Sequence, residues 1–251
     1  MPADLIEKVI AGDRLALSRL ITMVVDAPSP GLLARLAAIR RGAPIIGITG
    51  PPGAGKSTLV DRLVVHYRSH GARPGLVLID PSSPFTGGAI LGDRVRMQAH
   101  SDDPDVFIRS LATRGQLGGL AAGADAALAV LDVAGFAPLI IETVGVGQSE
   151  LDVVNVADSV VVVLHPTWGD EVQANKAGLI EAGDIFVVNK SDLSDPHRTV
   201  TQIEQALEMG TRTAWMPPVV ATSAASGEGM ETLVEAIERH QSHLAAQRPI
   251  P

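Results

Sequence analysis

The chain contains no cysteine, which excludes disulfide scaffolding, thiol catalysis and cysteine-ligated zinc or iron–sulfur centres. It has no basic excess either: 20 Lys and Arg face 28 Asp and Glu, a formal net charge of −8. Sequence-independent nucleic-acid binding depends on clustered cations that displace counterions, so nucleotides and proteins are the expected partners instead. No run approaches the roughly 20 apolar residues that a membrane-spanning helix requires. The N-terminus, interrupted by Asp4, Glu7 and Lys8, lacks the apolar core of a signal peptide. Internal repeats and low-complexity segments are missing as well. These exclusions lead to the expectation of a soluble, cytoplasmic protein with no nucleic-acid or membrane partner.

What is present is 251 residues, 46% of them hydrophobic, enough for one large α/β domain of about 200 residues and a small appendage. Leu5, Ile6, Val9, Leu15, Leu17, Leu20, Ile21 and Val24 recur at near-helical spacing, so residues 3–26 read as one helical stretch and a second runs from Gly31 to about Arg40. From residue 44 onward, β-branched runs at 44–49, 75–80, 106–109, 138–142, 159–164, 184–189 and 218–222 alternate with helical patterns near 56–70, 118–135, 170–182, 196–208 and 228–245. That alternation predicts an α/β fold with a mainly parallel sheet sandwiched by helices, its ligand lying outside the carboxyl ends of the strands. The expected organisation is an N-terminal helical extension over 1–42, a nucleotide-binding domain over 43–246 and a tail over 247–251 that frays from about Ala245.

Residues Gly50–Ser57 read Gly-Pro-Pro-Gly-Ala-Gly-Lys-Ser, between an apolar strand-like run and a helix-like one. A loop wrapped around phosphates must turn sharply and aim backbone N–H groups inward, which Gly50, Gly53 and Gly55 permit. With Ala54 and Thr58 beside them, they form a P-loop in which Lys56 reaches the β- and γ-phosphates and the Ser57 hydroxyl ligates Mg²⁺. The loop alone leaves ATP and GTP equally open.

Asn189-Lys190-Ser191-Asp192 follows the sixth strand-like run and matches the pattern in which one carboxylate accepts from both the ring N–H and the exocyclic amine of guanine. Adenine has no such donor pair, and a site that pairs buried polar groups rejects a ligand that leaves them unpaired. Ser223 and Ala224 end the next strand, where a backbone N–H is expected to meet the guanine carbonyl oxygen, so GTP and GDP are the expected ligands. Asp80, Asp93 and Glu142 are candidate Mg²⁺ ligands with Ser57. Gly145, in Glu142-Thr-Val-Gly, is placed to sense the γ-phosphate and make the following loop a switch. The next residue is Val146, which can neither donate to nor accept from an attacking water. Intrinsic hydrolysis is therefore expected to be slow, with Asp80 or Asp93 orienting the water and a partner improving the geometry.

Five blocks then stand in order: Asp80-Pro-Ser-Ser-Pro, Thr86 to Met97, Leu111 to Gly119, Glu142-Thr-Val-Gly-Val-Gly-Gln-Ser-Glu150, and Gly169-Asp-Glu-Val-Gln-Ala-Asn-Lys176. On these the chain resembles the MeaB/ArgK/MMAA family of GTPase chaperones that serve cobalamin-dependent acyl-CoA mutases. The resemblance implies a GTPase that gates adenosylcobalamin delivery to, and protects or reactivates, a mutase of the methylmalonyl-CoA type, with an adenosyltransferase as a second candidate partner. It also implies phosphate and magnesium roles for Lys56, Ser57, Asp80, Asp93 and Glu142. Guanine roles fall to Asn189, Lys190 and Asp192, and switch or partner roles to Gln148, Gln173 and Lys176.

Family members commonly continue into a C-terminal dimerisation arm whereas this chain stops at Pro251, so a monomer, pairing through the N-terminal helices and pairing on the mutase all stay open. Trp168 reads as packing or as a partner contact, and His165 as a strand-end residue rather than a cobalamin ligand. A P-loop kinase and a metal-insertion GTPase are the alternatives. The first lacks a clear acceptor pocket, and the second calls for Cys/His clusters where this chain reads as having no closely spaced His pair.

Overall fold

Parallel strands covered by helices on both faces read as apolar runs; each of the seven expected runs forms a strand, those near 106–109 and 218–222 being only partly buried. The computed structural model describes residues 2–80, 98–100, 102–112, 119–143, 155–166, 178, 180–209 and 214–247. The strands are β1 (Ile45–Thr49), β2 (Gly75–Asp80), β3 (Phe107–Ala112), β4 (Leu139–Glu142), β5 (Ser159–Leu164), β6 (Ile185–Val188) and β7 (Val219–Ala221). The helices are α1 (Pro2–Ile10), α2 (Arg14–Asp26), α3 (Pro30–Ala38), α4 (Lys56–Ser69), α5 (Gly119–Val133), α6 (His197–Met209) and α7 (Met230–Gln247). Of the helix expected over 170–182, residues 178 and 180–182 are described and helical. None of the described helices is long and apolar enough to cross a membrane. The α/β architecture with parallel strands is thus the one expected from the alternation.

Two compact units divide the chain, residues 1–45 with 64–142 and residues 46–63 with 143–251. In the first, β2 lies between β3 and β4, parallel to both, with Leu78 opposite Ser110 and Leu76 opposite Ile140. In the second, β5 is parallel to β1 and β6, and β6 to β7, with Gly47 opposite Val160, Val162 opposite Phe186 and Val187 opposite Val220. Val160, Val162, Leu164, Phe186 and Val188 form one buried cluster with Ile203 of α6.

Most ends shift by a residue or two from the sequence reading, and three differences have a structural meaning. The stretch 3–26 is two helices, because Gly12 takes φ +90° and the Asp13 carboxylate accepts from the N–H groups of Leu15 and Ala16 at 2.9 and 3.0 Å, capping a new helix. β3 runs on to Ala112 instead of ending near 109. α7 continues through Gln247, past the residue at which the tail was expected to fray.

The N-terminal helices belong to the first unit by packing. Leu17, Leu20, Ile21 and Val24 of α2 are buried and α2 lies on α5, whose Ala124, Ala127, Leu128 and Leu131 are buried as well. Each such large side chain contributes up to ~1.5–3 kcal/mol. The Arg14 guanidinium at the start of α2 donates to the carbonyls of Pro104 and Val106 at 2.7 and 3.0 Å. Arg68 pairs with Asp103 and Asp105, and its hydrogen bond holds the Asp103 carboxyl below the usual carboxylate range.

Two buried polar arrangements hold what apolar contact cannot. On α5, the carboxylate of Asp132 is fully buried and accepts from the backbone N–H groups of Arg41, Gly42 and Ala43 at 2.9, 3.1 and 3.1 Å. It fixes the chain that leads into β1, because a fully buried carboxylate must keep its hydrogen-bond partners. In the second unit, the buried His240 of α7 meets the Ser159 hydroxyl through Nδ1 at 2.9 Å and Asp184 through Nε2 at 3.4 Å. The Trp215 ring lies 4.8 Å from the imidazole, and Trp215 Nε1 donates to the Asp184 carbonyl at 2.8 Å. Burial pushes the His240 imidazole below its ordinary value, against the pull of Asp184 and Asp158 and with help from His243.

Asp132→Ala is expected to lower the unfolding free energy by about 1–3 kcal/mol, since it removes the acceptor of three part-buried N–H groups; urea titration by circular dichroism measures it. For His240 the native state resists a proton that the unfolded chain accepts. Its contribution is present above the ordinary imidazole value of 6.5 and is lost as pH falls below that value toward the depressed native one. The urea midpoint should therefore fall between pH 7 and pH 5.5, and His240→Gln should flatten that slope.

Candidate functional site

In the second unit, β1 ends at Thr49 and the chain turns through Gly50, Gly53 and Gly55 with φ of +132°, +75° and +92°, conformations that favour glycine. Close approach adds a second constraint. A Cβ on Gly50 would be driven into the Val163 carbonyl of β5, and one on Gly55 into the Asn189 amide. Lys56 opens α4 almost fully buried, its ammonium donating to the carbonyls of Gly50 and Pro51 at 2.7 and 2.9 Å. The charge of Lys56 is thus held over the turn by the turn's own backbone. Ser57 is half-buried and Thr58 exposed.

At the end of β6, Asn189 is buried and its amide is used on both sides. Its Nδ2 donates to the Ala54 carbonyl of the glycine-rich turn at 2.9 Å, while its Oδ1 accepts from the Ala224 N–H at 3.0 Å and the Thr222 hydroxyl at 3.1 Å. One side chain therefore ties two loops separated by 170 residues in sequence, 54 and 224. Lys190 follows in the left-handed region with φ +65°, and Asp192 is exposed. Ser223 and Ala224 are buried; the Ser223 N–H donates to the Glu228 carbonyl at 3.0 Å, so both of their N–H groups are committed to protein acceptors.

Glu142 is the last residue of β4 and 7% exposed. After it, the Thr143 N–H donates to the Ile48 carbonyl at 3.0 Å and its hydroxyl to the Thr49 hydroxyl at 3.1 Å. Asp80 is the last residue of β2, opposite Ala112. Its side chain, Asp93, Gly145, Val146, Gln148, Trp168, Gln173 and Lys176 lie outside the described residues. His165 directly follows Leu164, the end of β5, as a strand-end residue does.

Sequence reasoning missed several participants. Thr222 and Thr143 are hydrogen-bonded parts of the site that carry no motif letter of their own. Arg62 of α4 donates to the carbonyls of Ala224 and Ala225 at 2.9 and 2.6 Å, and only its place on the helix after the glycine-rich turn could have suggested it. The reading that the chain has no closely spaced His pair is corrected, since the rings of His66 and His70 lie 4.4 Å apart and those of His240 and His243 6.4 Å apart between centroids. The i,i+4 and i,i+3 spacings place each pair on one helix face. Among the described residues, no group of three His, Asp or Glu side chains is arranged to hold a metal ion.

A family model for the methylmalonyl-CoA mutase-associated GTPase MeaB matches residues 17–248. The chain belongs to this family. A Pyrococcus horikoshii relative, provisionally named a GTPase, is 47% identical over 96% of this chain and 78% of its own length. The mouse methylmalonic aciduria type A homolog, mitochondrial, is 36% identical over 94% of this chain and 62% of its own length. Among solved structures, one described as an LAO/AO transport system kinase superposes with a TM-score of 0.78 at 27% identity, covering 98% of this chain and 76% of the other. The family is one of GTP-binding P-loop NTPases.

Asn189→Asp is expected to destabilise more than Asn189→Ala. The alanine forfeits three hydrogen bonds, about 2–4 kcal/mol with the unpaired groups included, whereas the aspartate also sets a second acceptor against the Ala54 carbonyl. Urea unfolding of the two variants ranks them.

Proposed function

We propose that this chain is a GTP-hydrolysing chaperone for a cobalamin-dependent acyl-CoA mutase of the methylmalonyl-CoA type, working in the cytoplasm. The observation that carries the reading is the Asn189 bridge, which joins the P-loop at Ala54 to the turn at Thr222–Ala224. A protein built this way feels phosphates and base as one ligand, which suits a switch better than a metabolic catalyst. The five ordered sequence blocks and the family's mutase-associated description support the choice of partner.

In this reading, the P-loop N–H groups of Gly53, Gly55 and Lys56 cradle the phosphates, and the Lys56 ammonium shifts from the Gly50 and Pro51 carbonyls to the phosphate oxygens as GTP arrives. Asp192, exposed and reachable, accepts from the guanine ring N–H and amine. The donor set proposed for magnesium, the Ser57 hydroxyl with the carboxylates of Asp80, Asp93 and Glu142, is all hard oxygen, the ligand chemistry this ion takes. When bound, the ion neutralises charge that develops on the β- and γ-phosphates. Gly145 senses the γ-phosphate, and Val146 gives an attacking water no partner, so turnover waits on the mutase. Gln148, Gln173 and Lys176 carry nucleotide state to that partner.

Single-turnover GTP cleavage is expected to be slow in the isolated protein and at least ten-fold faster with the mutase, with phosphate released to water. Equal rates with and without the mutase would sink the switch. Transfer of labelled phosphate to a metabolite or protein acceptor would instead favour a kinase, the activity for which the solved relative is named. Lys176→Ala should keep GTP affinity and lose stimulation.

A further inference from the structure

The turn after β7 is held from two directions, and the second holder, Arg62, belongs to no nucleotide motif. Its guanidinium reaches from α4, six residues past Lys56, to the carbonyls of Ala224 at 2.9 Å and Ala225 at 2.6 Å. Within a trans peptide the C=O and N–H point in opposite directions, so a guanidinium that draws in the Ala224 carbonyl turns the Ala225 N–H away from α4. Neighbouring donors are already used: the Ser223 N–H on Glu228, the Ala224 N–H on Asn189 and the Ser226 N–H on the Ser223 hydroxyl at 3.3 Å. Ala225 is exposed, and its N–H has no acceptor among the described residues.

We infer that Arg62 is a positioning residue that aims the Ala225 N–H at the 6-oxo group of the bound purine, making Ala225 the donor that reads this oxygen. The inference rests on the guanine-site reading and moves the donor one residue beyond the pair expected from the motif. Its physical basis is that a bidentate guanidinium holds two consecutive carbonyls in a fixed direction, which a lysine with one compact charge cannot do. Because Arg62 stands on the same helix as Lys56 and Ser57, the base-reading turn is tied to the helix that carries the phosphate ligands.

The experiment measures dissociation constants of GDP, inosine diphosphate and ADP for the whole chain and its variants, by competition with a fluorescent nucleotide. Guanine and hypoxanthine both carry the 6-oxo group, and adenine does not. Arg62→Ala is expected to weaken GDP and inosine diphosphate equally, by roughly ten-fold for one lost oriented hydrogen bond, and to leave ADP unchanged. The GTP concentration that gives the half-maximal single-turnover rate should rise in step with the GDP dissociation constant, and Arg62→Lys should recover only part of the loss. Ala225→Pro, which deletes the same N–H while leaving the guanidinium, should reproduce the pattern, and the double variant should be no worse than either single one. A proportional loss for all three nucleotides, or unchanged GDP affinity in both variants, overturns the inference. Wild-type protein without preference for GDP over ADP overturns the guanine reading itself, and this inference with it.

Discussion

The Asn189 side chain is the constraint on which the second unit turns. It is buried, and it donates to one loop through Nδ2 while accepting twice from another through Oδ1. A buried amide that lost either loop would leave polar groups unpaired, so the P-loop and the turn at 222–225 are set in one arrangement by a residue touching both. Arg62 closes the circuit from the other side, and Gly55 is glycine for the same reason, since a side chain there would occupy the space of that amide.

The first unit shows the same economy with different chemistry. α2 and α5 pack through aliphatic side chains, a contact that supplies energy and little direction. Direction comes from polar groups at the ends of elements: Asp132 holds the chain entering β1 by three N–H groups, and Arg14 holds the approach to β3 by backbone carbonyls. In the second unit, the His240, Ser159 and Asp184 arrangement ties α7 to the starts of β5 and β6, whereas the nucleotide motifs follow strand ends.

Much of this is legible in residue order alone. All seven strands lie where the β-branched runs stand, and the fully buried β1, β4, β5 and β6 have no alternative but a continuous apolar run. The P-loop is legible because glycine spacing is a backbone requirement written in residue identity. The break at Gly12 and Asp13 is not, since the apolar spacing on the two sides of the turn happens to continue in phase. The persistence of α7 to Gln247 rests on helix propensity and not on burial, since Ala245, Ala246 and Gln247 are exposed.

The sequence by itself determined the fold class and the family, because both are encoded by residue type at short spacing, and the proposed phosphate and guanine residues come from the same short motifs. Only the tertiary structure decided which N–H groups were already spent, that Asn189 serves as a bridge, and that Arg62 governs a turn 162 residues away. Hydrogen-bond partners so far apart leave no periodicity in the chain. Whether a donor is committed depends on what folding brings opposite it, and that is a property of three dimensions alone.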